Sequence, residues 1–167
     1  MKKTTFKEAV FQAFKDTKYP NGSILRRPDS YYYQRQARLF ERTNWQELSL
    51  EDLGYASQEM FILSDEAFAY FLPAILIDIH GKNINSQDFV YSHLSPPVEI
   101  NSQEFQKFDE RMRFFTLEQS LVILRFIKFF VKTLIYNAFF EKMHRGKDTL
   151  KYWKGKVKKL RRQKGNP

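Results

Sequence analysis

An all-α fold is predicted for this chain: a single compact domain of about six or seven helices around one long buried helix, with a basic helical tail. Three observations carry the prediction. Residues 116–143 read TLEQSLVILRFIKFFVKTLIYNAFFEKM, apolar on several sides of almost every turn, and a helix that is apolar nearly all round is a buried one. Helix-start signals recur along the chain, each a Ser or Thr with acids in the turn that follows. Between them, apolar residues return at spacings of three and four rather than two.

Taken in order, Phe6, Val10, Phe11 and Phe14 mark an amphipathic helix over 4–16, capped by Thr4 or Thr5. Tyr19-Pro20-Asn21-Gly22-Ser23 ends it. A second helix is expected from Tyr31 to Thr43 and a short third from Ser49 to about Glu59. Ser64 then caps a run through Phe68, Tyr70, Phe71 and Leu72 to Pro73. Proline removes one helical hydrogen bond, so either a kinked helix passes through it or a new helix begins there. Gly81–Glu104 is the one long irregular section, stiffened by Ser95-Pro96-Pro97, with a helical turn possible at Phe89-Val90-Tyr91. Phe105, Phe108, Met112 and Phe115 give a further helix, and the long one follows. Asp148 is the expected cap of a last helix, Thr149 to about Lys164, on which Leu150, Trp153, Val157 and Leu160 share a face.

Charge divides the chain unevenly. Residues 142–167 hold 11 Lys/Arg against the single Asp148, whereas the rest holds 17 bases against 18 acids. Seven acids and no Lys or Arg lie between Thr43 and Gly81. The chain therefore reads as a near-neutral body over 1–153 with an acidic middle and a basic extension over 154–167. The 17 Phe and 9 Tyr point to a core filled by rings. Without cysteine, disulfides, thiolate metal sites and a Cys nucleophile are excluded. Lys7, Glu8 and Gln12 interrupt any apolar leader at the N-terminus, and a cytoplasmic location is expected.

Several stretches resemble one family of small uncharacterised bacterial proteins. Trp45 to Leu53 (WQELSLEDL) and Phe61 to Ala74 (FILSDEAFAYFLPA) are similar to its Trp-x-x-Leu and Leu-Ser-x-Glu-Ala-Phe-x-Tyr-x-Leu-Pro-Ala segments. Thr116-Leu117-Glu118-Gln119, with Ile123 and Phe126-Ile127 after it, resembles the family's Thr-x-x-Gln helix start. Leu150-x-Tyr152-Trp153 resembles its C-terminal Tyr-Trp ending, and Ala13-Phe14 ahead of Tyr19-Pro20 is similar too. The resemblance covers residues 6–155 and implies a bacterial source and a helical fold. The family is a domain of unknown function, so no activity or catalytic residue comes with it.

Chemical motifs are sparse. Asp78-x-His80 offers two metal ligands where a site needs three or four. No nucleophile elbow or phosphate-cradling glycine loop is present. The carboxylate pairs Glu51-Asp52 and Asp65-Glu66 stand in first helical turns, where capping explains them. No catalytic residue, metal or cofactor is therefore expected. Arg125, Lys128 and Lys132 oppose a membrane span through the long helix, at about 2.5–3.5 kcal/mol each near a bilayer centre. They form one stripe, expected to face solvent or the base-free acidic region.

Two functions of different classes fit these residues. One is a non-enzymatic interaction module, an accessory or immunity-type protein. It would hold a protein partner on the acidic surface around Trp45, Glu51, Asp52, Asp65 and Glu66 or on the Ser86–Glu104 loop. The other is a polyanion binder that grips RNA or DNA phosphates. Its residues would be Lys154, Lys156, Lys158, Lys159, Arg161 and Arg162, with an Arg35/Arg38/Arg42 face beside the tyrosines.

Overall fold

The computed structural model describes residues 4–32, 34, 38, 40–41, 44–48, 60–80, 90–99, 102–136 and 140–165, the backbone alone for 134–136 and 140–145. Among them are five α-helices, one 3-10 turn and no strand, so the fold is all-α. The chain divides into two compact units, Met1–Val90 and Tyr91–Pro167. The short helix expected from Ser49 to about Glu59 falls outside the described residues, as do residues 81–89 of the irregular section.

In the first unit, α1 (Phe6–Phe14) opens on a reciprocal cap. The Glu8 N–H donates to Thr5 Oγ1 at 3.2 Å, and the Thr5 N–H donates to a Glu8 carboxylate oxygen at 2.8 Å. That places two otherwise orphaned donors and aims Phe6, Val10 and Phe14 into the interior. A 3-10 turn, Met60–Ile62, leads to α2 (Asp65–Ile79), whose N-cap Ser64 accepts from the Ala67 N–H. The helix runs on through Pro73, so no new helix begins at that proline. It is buried on nearly every side, and α1 packs on it. An isolated antiparallel bridge joins Leu25 to Leu63 just ahead of the Ser64 cap. Rings fill the rest. Phe71 meets Tyr19, Phe40 and Tyr70 at centroid distances of 6.3, 4.9 and 4.8 Å, and the Tyr19 hydroxyl donates to the Phe40 carbonyl at 3.1 Å.

The second unit is built on a helical hairpin. α3 (Gln103–Met112) is capped by Ser102, which accepts from the Phe105 N–H. α4 (Leu117–Tyr136) opens on Thr116 and Gln119, each accepting from the other's backbone N–H. The Thr-x-x-Gln signal is thus a capping box with Gln in place of the acid. Val122, Ile123, Leu124, Phe126, Ile127, Phe130 and Val131 are buried, while Arg125, Lys128 and Lys132 are exposed along one stripe. Solvent is therefore where the cationic stripe points.

Two boundaries differ from expectation. The long helix is described as far as Tyr136, residues 137–139 lie outside the described residues, and 140–143 belong to α5 (Phe140–Gly165) rather than to the long helix. Asp148 is hence inside α5, not at its cap, and the helix passes 153/154 without interruption. The reason is visible at Gly146. A Cβ there would stand 3.2–3.3 Å from both methyls of Val131 and 3.9 Å from the Tyr91 hydroxyl. A close approach of α4 and α5 leaves little room for a side chain here, and packing of the hairpin outweighs the local break signal. The helices are antiparallel, since Glu118 at the start of α4 accepts from Lys164 at the end of α5 at 2.6 Å.

Candidate functional site

The segment 91–99 is held against α5 by buried polar groups. The Tyr91 hydroxyl donates to Thr149 Oγ1 at 3.0 Å, Thr149 Oγ1 donates to Ser95 Oγ at 3.1 Å, and Ser95 Oγ donates to the Tyr91 carbonyl at 2.9 Å. Each hydroxyl proton has an acceptor, as burial demands. One helical turn on, the Trp153 indole N–H donates to the Leu94 carbonyl at 2.8 Å. These four bonds fix a strap whose next residues are Pro96, Pro97 and Val98. Proline rings have little freedom left to lose on fixing. Val98 is 83% exposed, a large apolar side chain standing in solvent at the end of a rigid segment.

Between this strap, α3 and α5 lies a cavity of about 610 Å³. Its apolar lining comes from Pro96, Pro97, Phe105, Tyr152 and Leu160. Phe105 and Phe108 meet the Tyr152 ring at 6.1 and 5.1 Å, so α3 sets the wall that the ring completes. Its volume is within the range of small-ligand pockets, roughly 300–1,000 Å³.

The charged lining is arranged around Asp109. Tyr152 donates to Asp109 Oδ1 at 2.8 Å, and Arg113 approaches Oδ2 at 3.7 Å. Burial, then the hydrogen bond to Asp109 and its charge, push the Tyr152 hydroxyl far above its ordinary value, so it remains a donor. Lys151, Lys156 and Lys159 also line the cavity, with Asp148. Lys156 is half-buried, and burial holds its ammonium below the ordinary lysine value. Asp109 opposes that shift while Lys159 and Arg113 reinforce it. Among the described residues, none of these three lysines is ion-paired with a carboxylate. The arrangement can receive an anion with an apolar body.

The residues singled out in the sequence fall in several places. Lys156 and Lys159 line the cavity, whereas Lys154, Lys158, Arg161 and Arg162 are exposed elsewhere on α5. At about 100° per residue these four fall within one arc of the helix of about 100°, and Lys151 falls within that arc too. Of the arginine face, Arg38 is exposed, and Arg35 and Arg42 lie outside the described residues, as do Glu51 and Asp52. Trp45 is a core residue at 3% exposure, its ring 5.3 Å from that of Phe11, so it offers no surface to a partner. Asp65 pairs with Arg26 at 3.0 Å, and Glu66 is exposed beside it in the first turn of α2. Asp109, Arg113, Lys151 and Tyr152 were not singled out for the site. Their signal was weak, because an Asp and a Tyr 43 residues apart announce no pairing. His80, half of the Asp78-x-His80 pair, stacks on Phe6 at 4.1 Å.

Among the described residues, no group of three or more His, Asp and Glu is placed to hold a metal ion, and no helix is long and apolar enough to cross a membrane. No curated protein and no solved structure matches the chain. One family model matches residues 2–157. The chain belongs to that family, a family of unknown function designated DUF6714.

Proposed function

We propose that this chain is a bacterial, cytoplasmic protein-interaction module, an accessory or immunity-type protein without catalysis of its own, whose partner docks on the groove between the 95–99 strap and α5. The supporting observation is Val98. An apolar side chain 83% exposed, at the end of a segment fixed by four buried hydrogen bonds, presents contact area whose ordering cost has already been met by the fold. Apolar anchors beside a pocket with a charged rim are the usual anatomy of a protein interface. The test is the mass of the native assembly. Purified from its own cells, the chain should elute with one stoichiometric protein partner, and Val98→Asp should release it without changing the helical circular dichroism. A chain that elutes alone, or a partner indifferent to Val98→Asp, would refute the reading.

Exposure of Lys154, Lys158, Arg161 and Arg162 on one side of α5 favours a second reading, binding of RNA or DNA through phosphate contacts. Replacing those four by Gln should then abolish retention of the chain on single-stranded DNA at low salt. Retention unchanged by the replacement would remove this alternative.

A further inference from the structure

The groove runs along α5 from Asp148 to Gln163, about 22 Å at 1.5 Å per residue. An extended peptide spans that distance in about six or seven residues, whereas a compact metabolite would leave most of it empty. Its charge has a sign. Arg113, Lys151, Lys156 and Lys159 face two carboxylates, Asp148 and an Asp109 already bonded by Tyr152. Lys156 stands half-buried, which costs its ammonium solvation, and the like charges of Lys159 and Arg113 stand against the attraction of Asp109. A carboxylate seated beside it would offset both. Phe105, Tyr152, Leu160 and Pro97 supply the apolar floor between these cations.

We infer that the groove takes an extended acidic segment of a protein partner, about six or seven residues long, with an apolar side chain on the Phe105–Tyr152–Leu160 floor and carboxylates flanking it at Lys151, Lys156 and Lys159. The inference rests on the docking reading above and names the chemistry of its partner. A nucleic-acid strand fits this groove less well. Phosphates spaced along a strand would pass Asp109 and Asp148, and nucleic-acid interfaces are far more uniformly cationic than this lining.

The test is an unbiased selection. The full chain would be panned against a phage library of random heptapeptides, and the consensus peptide synthesised with a fluorophore for anisotropy. The expected consensus carries Asp or Glu on both sides of an aromatic or aliphatic residue. Its binding should weaken about tenfold in the Lys151→Glu/Lys159→Glu variant and weaken with added salt. Both replaced side chains are exposed, so the variant should keep its melting temperature. A charge-inverted peptide, with Lys in place of each acid, should bind that variant better than the original chain. A neutral or basic consensus lost in Val98→Asp would overturn the acidic partner while leaving the docking reading standing. No selectable peptide, or peptides indifferent to both variants, would overturn both. Single-stranded DNA that displaces the consensus peptide from the original chain but not from the Lys151→Glu/Lys159→Glu variant, and that binds more tightly than the peptide, would assign the groove to nucleic acid instead.

Discussion

The two units solve the same problem, an interior crowded with rings, in different ways. In the first, rings satisfy one another. Phe71 is surrounded by Tyr19, Phe40 and Tyr70, and the Tyr19 hydroxyl reaches a carbonyl at the edge of the cluster. In the second, polar atoms are carried inward. Tyr91, Ser95 and Thr149 form a closed set of hydroxyl bonds, and the Trp153 N–H reaches the Leu94 carbonyl. A ring core is tolerant of small polar changes and sensitive to volume. A hydroxyl network is sensitive to single atoms, because any deletion leaves a buried partner without its bond. What the network gains for the molecule is position: it fixes the Pro96–Val98 strap to one place on α5, beside a cavity that the ring core does not need.

The largest effect should therefore come from volume in the first unit. Phe71→Ala removes a fully buried ring and should cost about 3–5 kcal/mol, read as a lower urea midpoint. A value near 1 kcal/mol would mean that the ring cluster collapses onto the gap and that volume is not what the first unit depends on.

Gly146→Val comes next. Its side chain would be driven against Val131 and should cost about 1–3 kcal/mol by overpacking. Gly146→Ala should cost less, because the helix gains up to about 1 kcal/mol from alanine's propensity. Equal losses for both would show that the crossing of α4 and α5 has no slack.

Two atom-sized changes compare the units directly. Thr149→Val keeps the shape but leaves the Tyr91 hydroxyl without its acceptor and Ser95 Oγ without its donor, at about 1–3 kcal/mol. Tyr19→Phe, at a half-buried site, should cost only about 0.5–1.5 kcal/mol. Matching losses would erase the distinction drawn between the two interiors.

The smallest effect is a pH dependence. Lys156 has a depressed value in the folded chain and the ordinary 10.5 when unfolded, so the unfolded chain holds the extra proton between those two values. Stability should rise with pH across that alkaline window, modestly, since half the group is solvated. Lys156→Met should flatten the rise in an alkaline series of urea melts. An unchanged slope would place the titration on another group.

Helix starts were legible in the sequence because caps are local chemistry. Thr5-Glu8, Ser64 and Thr116-Gln119 each act within three residues, and all bond as their spacing implies. Trp153 and Val157 were correctly placed on the buried face of the last helix, because periodicity survives folding. Trp45 misled for a related reason. An aromatic residue in an acidic stretch reads equally as surface anchor or core, and only Phe11 across from it decides. Asp148 read as a cap, since Asp before a periodic run is the usual signal, but the crossing at Gly146 carries the helix through it.

The sequence by itself determined the all-α class, most of the caps, the apolar faces and the existence of a cationic stripe on α4, all set by residues within one or two helical turns. Only the tertiary structure decided which of the cations on α5 face a cavity. It also decided that Pro96-Pro97 is a strap and that Asp109 belongs with Tyr152. Those pairings join residues 43 to 59 apart, and no local pattern encodes which distant groups a helical hairpin will bring together.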